Sequence, residues 1–200
     1  MTLRCLKLNA TAPSLTDGDR DLISKHGKPK NSKSFNLIRS KINAPELKSC
    51  LDLFPQISQH CYDACVADIR LLLPHIHTGE LHTIINLYLD ASDERTTFWD
   101  GKFEIDNRFV EDEGNGYWNV NPDLIEPAES FIAKKGDVWL LNPLHAHSVL
   151  PSLGPEKEMI HRMCTNIDVE ITKQKMKSKR KVVQLFFDLH PQEAVERLHG

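Results

Sequence analysis

The chain has 200 residues, of which 40% are hydrophobic and 26% are charged, a composition typical of a single globular domain with a sizeable core. Its net charge of −3 at pH 7 argues against a general attraction to nucleic acid. No apolar run approaches the ~20 residues of a membrane span, and the N-terminus lacks the apolar core of a signal peptide. We therefore predict a cytoplasmic protein that avoids membranes, with the oligomeric state left open.

Residues 1–73 are predicted to form an N-terminal layer of strands and helices. Residues 2–8 and 34–42 alternate as strands do, and the polar stretch 9–32 is typical of a loop. From Pro45 to about Leu73, apolar residues recur at helical spacing, which predicts one or two helices interrupted near Pro55.

The five cysteines form no CxxC pair, which indicates reduced thiols in an intracellular protein. Cys61 and Cys65 stand four residues apart in the predicted helix. We interpret them as small core residues on one helix face, with a metal or redox pair as the alternative.

Residues 74–189 are predicted to form a β domain of short strands separated by turns. The predicted strands are 81–90, 96–105, 117–121, 130–133, 138–142, 147–151, 158–171 and 181–189. Spacings of about ten residues are typical of a sandwich or barrel. The predicted fold is thus mainly β with N-terminal helices, a double-stranded β-helix (jelly-roll barrel). The basic run 173–181 is predicted to be a solvated hairpin loop, with an acidic or nucleic-acid partner as the weaker alternative.

Two histidine clusters, HIHTGELH (75–82) and HAH (145–147), fall at the ends of predicted strands, where barrels build metal sites. Neutral imidazole is the commonest metal ligand near neutral pH. We predict that His77 and His147 hold a metal with open positions. His75 and His145 are interpreted as neighbours of these ligands that point to the opposite face of the strand. His82 and His161 are interpreted as packing residues or as residues that surround the ligands without touching the metal.

The motifs around these clusters resemble, in order and spacing, those of the Fe(II)/2-oxoglutarate-dependent oxygenases, especially small prolyl-hydroxylase-like and phage-type members. The resemblance covers about residues 70–187 and rests on His77-Thr78-Gly79, INLYL (85–89), Thr96-Thr97-Phe98, GDVWLLN (136–142), HSV (147–149) and Arg162. It implies a jelly-roll enzyme that uses Fe(II), O2 and 2-oxoglutarate to hydroxylate an unactivated C–H bond.

The resemblance also implies roles for individual residues. His77 and His147 would hold the iron, and Arg162 would bind the distal carboxylate of 2-oxoglutarate through its bidentate fork. Asn86, Tyr88 or Thr96 would add a hydrogen bond to the co-substrate. Phe98 and Trp99 would line the substrate side, with a place in the barrel core as the alternative.

The sequence departs from the family motif at Gly79, where the family has a carboxylate. In one explanation water fills the vacancy beside two histidines, in a second chloride fills it as in the related halogenases, and in a third Glu80 is the ligand. These three explanations stay open, with hydroxylation the commonest outcome in the superfamily.

The long acidic loop 106–129, whose one base is Arg108, is interpreted as a lid or substrate clamp for a cationic or amino-acid-like substrate. Two other functions remain open. One is a cupin-type dioxygenase or isomerase without 2-oxoglutarate, holding its metal with His75, His77, Glu80 and His147. The other is a metal-free binding module on the same fold.

Overall fold

The computed structural model describes residues 3–15, 35–77, 83–91, 93–104, 117–165 and 169–200. This part of the chain is mainly antiparallel β structure. Its strands are β1 (Cys5–Lys7), β2 (Phe35–Lys41), β3 (Cys61–His77), β4 (Thr83–Asp90), β5 (Arg95–Gly101), β6 (Tyr117–Asn119), β7 (Ile125–Ile132), β8 (Val138–Leu141), β9 (His147–Leu150) and β10 (Lys181–Phe187). Its helices are α1 (Ala44–Leu51), α2 (Glu156–Thr165), α3 (Val169–Lys177) and α4 (Pro191–His199), with short 3-10 turns at Ser58–His60 and Pro122–Leu124.

The strands form one ten-stranded sheet in the order β1-β8-β4-β10-β3-β9-β5-β7, with β2 and β6 also paired to β3. Strand β3 is 17 residues long and connects two halves of this curled sheet. Its first part pairs with β10, from Cys61 to Asp68, and its last part pairs with β9, from Leu72 to His75. We call the half containing β1, β8, β4 and β10 the first layer, and the half containing β9, β5 and β7 the second layer.

Alternating side chains of each strand fill the space between the two layers. In β4, Tyr88 packs into an inner cluster with Phe98 of β5 and Val149 of β9, whereas Ile85 and Leu87 pack on the outside. The inner cluster contains residues from both layers, namely Cys5, Cys65, Ala67, Ile69, Leu72, Ile84, Tyr88, Phe98, Ala133, Leu141, Val149, Val182 and Phe186. The curled sheet therefore forms a half-barrel around this inner cluster.

Helices cover the outer faces of both layers. Cys50 at the end of α1, with Phe54 just beyond it, and Ala194 of α4 pack with Leu185 and its neighbours on the first layer. Ile160 of α2 packs with Trp99 and Leu150 on the second layer. Because apolar contacts cover the outside, polar side chains within the interior are remote from bulk water.

The prediction of helices between Pro45 and Leu73 was partly wrong. Helix α1 ends at Leu51, before Pro55, as predicted, but residues from Cys61 onward form β3. Cys61 and Cys65 therefore lie on a strand and not on a helix. Most side chains between Cys65 and His77 are buried, so β3 lacks the alternation of a half-exposed strand and its apolar residues were misread as helical. β3 also runs across the boundary predicted at residue 73.

The strand predicted at 158–171 was also wrong. Residues Glu156–Thr165 form α2 and Val169–Lys177 form α3, which replaces most of the predicted basic hairpin loop. The segment is rich in Glu, Lys and Met, which favour helices. Helix α4 had not been predicted; it begins at Pro191, with His190 as its cap.

No helix in the described ranges has the length and apolar content of a membrane span. Cys5, Cys50, Cys61 and Cys65 are free thiols. Burial raises the pKa of the Cys61 thiol to about 11 and that of Cys5 further, so these two thiols stay protonated at neutral pH.

Candidate metal centre

Three buried histidines meet where β3 pairs with β9. His75 and His77 lie at the C-terminal end of β3, and His75 pairs directly with His147 of β9. One ligand nitrogen from each ring lies within 4.8 Å of the other two. Nitrogens bound to one metal at about 2.1 Å lie roughly 3–4 Å apart, so small ring rotations would bring all three into coordination.

Hydrogen bonds orient two of the rings for metal binding. Nδ1 of His75 lies 2.8 Å from the carbonyl oxygen of Leu73, and Nδ1 of His147 lies 2.8 Å from that of His145. Since a carbonyl only accepts, each Nδ1 carries the proton and donates it. Each Nε2 then carries the lone pair of the ring, and this is the tautomer found in histidines that bind a metal through Nε2.

Burial keeps the ring of His147 neutral. It lowers the pKa of His147 to about 4, although the hydrogen bond to the backbone of His145 raises that pKa. Burial, with the charge of Arg4, also lowers the pKa of His145. The lone pair of His147 is therefore available at neutral pH and needs no proton release before it binds a cation.

Hydrogen bonds of two buried side chains, Asn142 and Trp99, hold the strand that carries His147 in place. The buried Asn142 donates from Nδ2 to the carbonyl of Leu3 and accepts from the backbone N–H of Leu144, which holds the turn before β9. Trp99 donates from Nε1 to the hydroxyl of Ser148, next to His147, at 2.9 Å. Trp99 is fully buried in the outer cluster of the second layer, so it positions β9 from behind and does not face the histidines.

A buried arginine lies deeper in the barrel. Arg180, just before β10, is 3% exposed. One terminal nitrogen donates to the hydroxyls of Tyr88, at 2.9 Å, and Thr96, at 2.8 Å. Its Nε has no hydrogen-bond partner, and no carboxylate within the described ranges forms an ion pair with it. A buried cation without a counter-ion is costly, so this group is a candidate anion-binding site.

Thr96 links this arginine to the histidines through β5. Thr96 lies two residues before Phe98 on the same strand face. The ring of Phe98 lies 5.7 Å from that of His147. Phe98 therefore separates the arginine end from the histidine end of one interior.

The predicted ligands His77 and His147 are brought together, but the interpretation of His75 was wrong. Residues 75 to 77 are regular strand paired with β6, so the two histidines share one face. His145 lies outside the group, and His161 is an exposed residue of α2, 3.5 Å from Asp123. His82, Gly79, Glu80 and Arg108 lie outside the described residues, as do most of the acidic loop residues before Tyr117.

The predicted co-substrate residues divide into two sets. Tyr88 and Thr96 face the interior and contact Arg180, whereas the side chain of Asn86 accepts a hydrogen bond from Gln184 at 3.2 Å. Arg162 lies on α2 and not on a strand, and it pairs with Glu170 at 2.9 Å. Sequence reasoning missed Arg180 because it stands within a basic run; its place directly before the last strand was the signal available.

Neither protein-family models nor curated protein sequences gave a match to this chain.

Proposed function

We propose that this protein is an Fe(II)- and 2-oxoglutarate-dependent dioxygenase that hydroxylates a C–H bond of a small molecule. The observation that carries the proposal is that one interior contains three candidate metal ligands and a buried arginine that pairs with no carboxylate of the described residues. The first group suits a metal with open coordination positions, and the second suits the carboxylate of a co-substrate.

The strand order supports a double-stranded β-helix as the underlying fold. Along the chain, β3 passes from the first layer to the second, β4 lies in the first, β5 and β7 in the second, and β8, β9 and β10 alternate between them. Eight antiparallel strand segments that cross between two facing sheets in this way are typical of a jelly roll.

The donor set fits iron. His75, His77 and His147 would supply three imidazole nitrogens, in place of the two histidines and one carboxylate common in such oxygenases. Because all three ligands are neutral, the site would retain the full charge of the ion and favour an anionic co-substrate. His75 makes a vacancy at Gly79 unnecessary, which favours hydroxylation over the halogenation alternative.

The remaining interior residues would bind the co-substrate and exclude water from the metal. Arg180 would hold the distal carboxylate of 2-oxoglutarate through its unused N–H groups, and the hydroxyls of Tyr88 and Thr96 would keep its guanidinium in place. Phe98 and Val149 would exclude water between this carboxylate and the metal. Bound iron would supply the activation of O2. Arg162, which pairs with Glu170, is not needed for this role.

A second candidate function is a cupin-type dioxygenase without 2-oxoglutarate. His75 belongs to the histidine cluster, and this favours the cupin-type function, because the metal site expected for that class has three histidines. Arg180 would then bind a carboxylate of the substrate itself.

An anaerobic titration tests the proposal. Fe(II) and then 2-oxoglutarate are added to the full chain, and the visible charge-transfer absorption of the chelated complex is recorded. Loss of iron binding is expected in His75→Ala but not in the exposed control His161→Ala. Arg180→Gln should keep iron and lose the 2-oxoglutarate response, whereas Arg162→Gln should keep both.

Each other outcome has a defined meaning. Iron binding without a 2-oxoglutarate response favours the cupin-type function. A response that depends on Arg162 but not on Arg180 would assign the anchor to α2. Absence of metal binding by the unmodified protein refutes both functions.

A further inference from the structure

A cavity on the first-layer side of the barrel includes Arg180 and Tyr88 of the proposed co-substrate site and extends beyond them to residues that the proposed function does not use. Its volume is about 610 Å³. Residues 11–15, the turn at 135–136, residues 88–90 at the end of β4, the segment 178–181, and Asp68 and Arg70 of β3 line it. This volume lies within the roughly 300–1,000 Å³ of small-molecule sites.

The cavity lining carries an excess of positive charge. Five of its side chains are basic and two are acidic: Arg70, Lys135, Lys179, Arg180 and Lys181 against Asp68 and Asp90. Arg70 and Lys135 form no ion pair with any residue in the described ranges. A concave surface lined by one sign of charge concentrates ligands of the opposite sign.

The rest of the lining is mixed. Thr11 and Ser14 bring hydroxyl groups from the segment after β1, and Ser178 brings another from the segment before β10. Apolar residues from the segment after β1 and from β4 lie beside them, namely Ala12, Pro13, Leu15 and Leu89. The excess of positive charge and the hydroxyl groups suit a hydrophilic anion better than an apolar one.

We propose that this cavity binds a small polyanion carrying at least two phosphate or carboxylate groups. Arg70 would bind one group through its planar fork, and Lys135 would bind another as a point charge. The proposal goes beyond the oxygenase function because neither residue belongs to the histidine cluster or to the contacts that Arg180 makes in the interior.

Calorimetric titration of the metal-free full chain with pyrophosphate, at low ionic strength, tests this site. Arg70→Gln and Lys135→Gln should each weaken pyrophosphate binding about tenfold, since a charge-assisted hydrogen bond contributes enough for that factor. Arg197→Gln, an exposed arginine on α4 paired with Glu193, is the matched control and should bind as the unmodified chain does. His147→Ala should also leave binding unchanged. Circular dichroism checks that each variant folds, and Lys135, exposed on a turn, keeps the test usable if Arg70→Gln does not fold.

Three results would overturn the proposal: no pyrophosphate binding by the unmodified chain, an affinity in the Arg70→Gln and Lys135→Gln variants equal to that of the unmodified chain, or loss of binding in Arg180→Gln alone. The last would place the anion in the barrel interior. Iron and 2-oxoglutarate are absent from this titration, so its result is independent of the oxygenase proposal.

Discussion

Replacing Arg180 by methionine should stabilise the metal-free protein while removing its co-substrate site. The guanidinium is 3% exposed, and no carboxylate in the described part of the chain balances its charge. Its desolvation costs several kcal/mol. The substitution gives up hydrogen bonds to Tyr88 and Thr96, which together contribute about 2 kcal/mol.

The net effect is a stabilisation of about 1–3 kcal/mol, because methionine fills a similar volume without a charge. For a chain of 200 residues this raises the melting temperature by about 2–12 °C. Saturating 2-oxoglutarate with a redox-inert divalent metal should raise the melting temperature of the unmodified protein further, but not that of Arg180→Met.

Differential scanning calorimetry with and without these ligands measures both effects. Arg197→Met, on the exposed face of α4, is the control and should change neither value appreciably. If Arg180→Met melts at a lower temperature than the control, the buried charge is compensated and the reasoning is refuted. If its response to 2-oxoglutarate is undiminished, the anchor lies elsewhere.

Two further predictions concern the stability of the metal-free protein. Burial lowers the pKa of His147 from 6.5 to about 4, so between these pH values the unfolded chain binds the additional proton, and about 3 kcal/mol of stability is lost as the pH falls from 7 to 4. Urea unfolding at several pH values should show this slope, and a flatter one in His147→Gln; identical slopes would contradict the assignment. Gly101→Ala should destabilise by more than about 2 kcal/mol, because φ is 128° and the added Cβ would lie 2.3 Å from the carbonyl oxygen of Leu124. Gly136→Ala should lose only about 1 kcal/mol, because φ is 89° but the added Cβ would meet no heavy atom of the described residues nearer than 3.6 Å; comparable losses in the two variants would refute the role of the contact.

Local patterns were sufficient for much of the β structure. Strands β4, β8, β9 and β10 begin and end within two residues of their predicted positions, because short apolar runs between turn residues are a local signal. The choice of histidines 77 and 147 also came from local sequence, since each stands at the end of such a run. The prediction failed for β3, because burial on both faces removes the alternation that distinguishes a strand from a helix.

The sequence alone determined that this chain has a β core, histidines at strand ends and no surplus of charge that would favour nucleic acid. Only the tertiary structure decided which polar groups share the interior. His75 joins His147 because β3 bridges two layers, and Arg180, one of several bases in a basic run, is buried while the neighbouring Lys179 is exposed. Such pairings depend on contacts between residues up to about a hundred positions apart, which no local pattern encodes.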